Sequence, residues 1–213
     1  MGELFNLDSP LMRVLGRLAE LMILNVVALL CALPVVTLGA SAVGLYTAVQ
    51  NLVNDEGHPV RDFLRGFRQN FWRATLLWVI FLASGVLLAF GLVFYAGMEG
   101  ALFSILFGVT MLAAVLWLFL FSWSFPLLAR FQNSSGATLS NALVCSVAYL
   151  PRSVGMAALN FLPVLLLLCR LDLFLYASVL WILVWFALAA YLNIRLLQKP
   201  YARMDDADYH QRQ

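Results

Sequence analysis

Residues 33–57, LPVVTLGASAVGLYTAVQNLVNDEG, decide the fold. The stretch leaves one apolar helix, breaks at Pro34 and Gly39, and ends in a polar loop. If the helix at 40–54 crosses a membrane, the chain has six spans with both ends on the same side; if it lies on the surface, there are five and the N-terminus turns over. Ala40, Gly44 and Ala48 recur every four residues, so one face admits close approach by another helix backbone. Thr47, Gln50, Asn51 and Asn54 make its lower end polar. At 1.5 Å per residue this helix is roughly 22 Å long, short of the ~30 Å hydrocarbon core, so it crosses only when buried among neighbours or in a thinned bilayer.

The rest of the chain supports a membrane environment. Of 213 residues, 63% are hydrophobic and 11% charged, against roughly 25% charged in a soluble domain. The expected fold is an all-α polytopic membrane helix bundle: six apolar helices, the second one short, plus two cytoplasmic interfacial helices. The spans are placed at about 18–36, 40–54, 74–96, 102–128, 153–169 and 174–194, in a single transmembrane domain over residues 1–200 with a polar tail at 201–213. Asp8 and Ser9 ahead of Pro10 read as a helix start. The triplet Ala40-Ser41-Ala42 has the form of a signal cleavage site, but the preceding apolar run is too long for a signal core and its leader carries Glu3, Asp8 and Glu20.

Charge placement separates the topologies. With six spans, Arg13, Arg17, Arg61, Arg65, Arg68, Arg73, Arg130, Arg152, Arg195, Lys199, Arg203 and Arg212 share one side, 12 of the 13 basic residues, and only Arg170 faces out. Five spans leave 10 inside. The positive-inside rule therefore favours six spans with both termini cytoplasmic.

Residues 60–73, VRDFLRGFRQNFWR, set Phe63, Leu64, Phe67 and Phe71 on one helical face and group Arg61, Arg65 and Arg68 on an adjacent one, with Arg73 following. That pattern predicts a helix lying in the membrane interface, and it supplies the expected partner surface. A second, weaker surface helix is expected over 134–149. Asn25, Asn160 and Asn193 are amides inside spans, read first as helix-to-helix glue and second as the lining of a solute path. Gly85-Ala89, Ser104-Gly108 and Ser153-Ala157 read as ordinary packing contacts, and Trp72, Trp78, Trp123 and Trp181 as an aromatic belt near span ends. Cys31, Cys145 and Cys169 read as packing residues, and Arg170 with Asp172 as a solvated cap on a turn.

Enzyme signatures are missing. His58 and His210 have no zincin spacing, and the chain has neither a Walker loop nor a nucleophile elbow. The expectation is a protein that is no enzyme and uses no cofactor or metal, with the lipid bilayer as its environment and no nucleic-acid partner.

The opening GELFNLDSP, the pair Leu24-Asn25, the run LPVVTLGAS followed by Leu45-Tyr46, and the loop NDEG leading into DFLRGFRQNF resemble the YesL family, bacterial multi-pass proteins defined as a domain of unknown function. The resemblance is strongest over the first 75 or so residues. Family members are often encoded beside ABC-type importers of oligosaccharides. The resemblance therefore implies an accessory or regulatory membrane component of a carbohydrate import system, with importer permease subunits as partners, and supplies no catalytic or ligand residues. The alternative is a small stand-alone transporter or channel.

Overall fold

The computed structural model describes residues 10–131 and 134–211, with side chains described for 12–131 and 134–202. The expected helix start at Asp8 and Ser9, and most side chains of the polar tail, lie outside these. Among the described residues the chain is helical throughout, with no strand.

The helices are α1 (Pro10–Ala32), α2 (Leu38–Val53), α3 (Pro59–Ala96), α4 (Ala101–Arg130), α5 (Ser135–Ala148), α6 (Leu150–Cys169), α7 (Leu171–Tyr176), α8 (Ser178–Leu180) and α9 (Phe186–Gln211). A 3-10 turn, Val35–Thr37, links α1 to α2, and a π-helical turn, Trp181–Trp185, links α8 to α9. Pro34 ends α1 because it cannot donate the next helical hydrogen bond. The Thr37 hydroxyl then closes the corner by donating to the carbonyls of Cys31 and Pro34, at 2.6 and 2.7 Å.

Among the described residues six helical segments are long and apolar enough to cross a membrane, including the short second one. Its burial explains how it can do so. In the second segment 56% of the apolar window is buried against other helices, and in the remaining five no more than 33%. The second helix is thus the central post of the bundle, packed by α1, α3, α4 and α9, which is the condition its length imposed.

One expected boundary is absent. The arginine-rich segment and the third span form a single unbroken helix, α3, of 38 residues. At 1.5 Å per residue it is about 57 Å long, well beyond a bilayer's ~30 Å hydrocarbon core. Nothing between Arg61 and Ala74 stops a helix: there is no proline there, and Gly66 is held by packing. A change from charged to apolar composition moves a helix into lipid without ending it.

The sixth span also differs. It starts in the broken stretch α7, α8 and π-turn, and its helix continues past Ile194 and Pro200 to Gln211. The second surface helix is present as α5, and Ser134 caps it by accepting a hydrogen bond from the Ala137 amide at 3.3 Å.

Candidate functional site

The antiparallel register of α2 against α3 positions the arginine face. A Cβ added at Gly39 would run into the Ala74 carbonyl oxygen and stand 2.6 Å from the Trp78 Cβ; one added at Gly44 would meet the Phe63 carbonyl oxygen at 2.9 Å. At Gly66 the intruding Cβ would meet the Thr47 Cβ at 2.7 Å. The small-residue face of α2, with Ala40, Gly44 and Ala48 all buried, therefore lies along the first half of α3.

That packing consumes the phenylalanine face. Phe63 is fully buried, Phe67 and Phe71 are half-buried in a line with ring centroids 6.1 and 5.6 Å apart, and only Leu64 stays exposed. The expectation of a helix lying in the interface is corrected here: protein covers Phe63 wholly and Phe67 and Phe71 in part, because glycines in α2 let the two helices approach closely. Left outside are Arg61, Arg65, Arg68 and Arg73, all exposed, with Val60, Leu64 and Trp72 between them. A shallow depression at the helix start is lined by His58, Val60, Arg61, Leu64, Arg65 and Arg68.

Sequence reasoning missed Asp62, which sets this surface in place. It is buried, and its Oδ2 accepts from the His58 amide at 3.0 Å while its own amide donates to the His58 carbonyl at 2.9 Å. This reciprocal cap fixes the start of α3, much as a capping box does. Gly57 sits beside it at φ +87°, where a side chain would strike the Asp62 carboxylate. Arg17 of α1 ties the same loop by donating to the Leu52 carbonyl and pairing with Asp55. The nearest carboxylate to the arginine face is again Asp62, 3.9 Å from Arg65. Arginines spaced three and four apart on one helix repel one another, so the face favours anionic contacts.

The three intramembrane asparagines do not share one path. Asn25 clamps the π-turn: its Nδ2 donates to the carbonyls of Trp181 and Ile182 at 3.1 and 2.7 Å, and its Oδ1 accepts from the Ala187 amide at 3.0 Å. A π-turn displaces the regular ladder, and one fully buried amide satisfies the groups it frees. Asn160 and Asn193, by contrast, meet across α6 and α9. Asn193 Nδ2 donates to Asn160 Oδ1 at 2.8 Å and to the Tyr46 hydroxyl at 2.9 Å.

Tyr46 is the member that sequence reasoning did not place in a site. Its position, four after Ala42 and four before Gln50, puts it on the side of α2 opposite the small-residue face. That side borders a cavity of about 370 Å³ between α2, α3, α4, α6 and α9. Trp78, Trp117, Phe121, Phe125, Phe161 and Trp185 line it, and no lining residue is charged.

Other expectations sort by burial. Trp123 is fully buried and donates to the Ser153 hydroxyl at 2.8 Å, which in turn donates to the Ser146 carbonyl at 2.8 Å, tying α4, α6 and α5. It is a core residue, as is Trp181; Trp72, highly exposed, fits a belt. A Cβ added at Gly85 would stand 2.8 Å from the Trp117 ring, whereas one added at Gly108 would meet nothing within 4 Å. Cys145 is buried, which pushes its thiol up to about 11, while Cys169 is exposed. Arg170 and Asp172 form an exposed ion pair at 3.0 Å.

Residues 19–92 match a family model described as a protein of unknown function, DUF624. The match supports an uncharacterised membrane-protein family, and it covers the second part of α1, all of α2 and most of α3, which include the arginine face. No curated protein and no solved structure matches the chain. The six apolar helices and this match fit an integral, multi-pass membrane protein.

Proposed function

We propose that the protein is a non-enzymatic accessory component of an ABC-type carbohydrate importer in the bacterial plasma membrane, with both termini cytoplasmic, docking through the arginine face of α3. The observation that carries this reading is the use of the phenylalanine face by α2. A helix that served only to anchor in the interface would keep its apolar side for lipid. Here that side is spent inside the protein, so Arg61, Arg65 and Arg68, with Val60 and Leu64 among them, stand on a fixed scaffold as a cationic surface with apolar spots. Such a surface suits an acidic partner segment, and it lies on the side that the positive-inside rule makes cytoplasmic. The choice of an importer permease as partner comes from the resemblance to the YesL family.

The test is affinity purification of tagged protein from its native membrane in a mild detergent, followed by mass spectrometry. Permease subunits should accompany the wild type in fixed ratio and be lost with the triple variant Arg61→Glu, Arg65→Glu, Arg68→Glu, at unchanged membrane level. Equal recovery of permease with wild type and variant would refute the arginine face as the docking site, and recovery of wild type without any permease would refute the importer reading.

A further inference from the structure

We infer that the aromatic cavity is a binding site for a neutral, membrane-dissolved amphiphile, with an apolar ring or chain as its body and a carbonyl or ether oxygen as its head. The site stands on observations separate from the arginine face. At about 370 Å³ the cavity lies within the size range of small-molecule pockets, roughly 300–1,000 Å³. Its walls are aromatic and its lining uncharged, so a charged ligand would leave water without a partner. Val164 of α6 and Phe186 of α9 both line it and are exposed, which brings the cavity to the lipid-facing surface between these two helices.

The polar groups choose the head. Asn193 holds Tyr46 and Asn160 in place from behind the wall, taking up the Asn160 oxygen. Asn160 is thereby fixed in one orientation, with its amide also bonded to the Tyr46 hydroxyl, and it is only partly buried. The indole N–H groups of Trp78 and Trp185, two further lining residues, have no hydrogen-bond partner among the described residues. The Trp117 indole is already satisfied, donating to the Ser84 hydroxyl at 2.9 Å. The two unpartnered nitrogens of the lining residues are thus both indole donors, and they call for an acceptor oxygen. A sugar, with hydroxyls on every side, would find too few polar partners here.

Menadione tests this directly, because it is neutral, carries two ring carbonyls and quenches tryptophan emission. Three of the six tryptophans, Trp78, Trp117 and Trp185, line the cavity. In phosphatidylcholine nanodiscs, quenching should contain a saturable component on top of the linear part due to partition into lipid. Ala189→Phe, which fills the cavity, should remove the saturable part, and Trp185→Phe, which removes one unpartnered donor and keeps Trp78 and Trp117 as reporters, should weaken it about tenfold, the effect of losing ~1.4 kcal/mol. A sulfonated, anionic naphthoquinone should show no saturation with the wild type. If Ala189→Phe does not fold, Ala42→Phe fills the same space from α2. Purely linear quenching by menadione, or saturation unchanged in the filled and Trp185 variants, would overturn the inference.

Discussion

The two halves of α3 are one helix in two environments. Residues 59–78 bury Asp62, Phe63, Gly66, Ala74, Thr75 and Leu77 against protein and put arginines outside. In residues 79–96 only Phe81 is buried, and Val86, Leu87, Phe90 and Val93 are each more than 60% exposed. The second half pairs with the first half of α4 through Gly85 against Trp117 and Gly91 against Thr110, forming a hairpin whose outer aliphatic surface only lipid suits. The first half is specified by shape, the second by composition. Substitutions should therefore be costly in the first and tolerated in the second wherever they stay apolar.

The largest expected difference is between two glycines. Gly39→Val would drive a branched side chain into the Ala74 carbonyl and the Trp78 Cβ, neither of which can swing away. Overpacking of this kind costs about 1–3 kcal/mol or more, and thermal unfolding in detergent should show a large drop or loss of the folded species. Gly108→Val in the hairpin enters open space and should shift stability by less than about 0.5 kcal/mol. Equal sensitivity at both glycines would remove the distinction. A smaller effect is expected at Ser84, whose hydroxyl takes the Trp117 indole hydrogen bond inside the otherwise apolar hairpin. Ser84→Ala should cost about 0.6 kcal/mol, the average for such bonds between membrane helices, measured by the same unfolding assay. The smallest belongs to the lipid face: Leu87→Val and Val93→Leu should leave the melting temperature unchanged within error.

What could be read from the sequence follows the same division. Apolar runs and arginine placement marked the spans, since hydropathy needs no knowledge of partners. The spacing of Ala40, Gly44 and Ala48, with a helix too short for the bilayer, pointed to a buried second crossing before any contact was known. The fate of Phe63 could not be read, because an aromatic stripe beside arginines looks the same whether it faces lipid or a glycine-lined helix. Asn193 finds Asn160 across 33 positions and Tyr46 across 147, and no local pattern announces a meeting at that range. Asn25 was legible as glue in kind, though not in the π-turn it holds.

Because α3 has no break between Pro59 and Ala96, it joins the arginine face and the lipid-facing hairpin in one continuous helix. Its start is bolted to α2 by the glycine contacts and to the preceding loop by Asp62, and its far end carries the turn at Gly97. The arginine face and the turn at Gly97 are therefore set by one helix about 57 Å long, so the distance between them is fixed by the length of α3 itself.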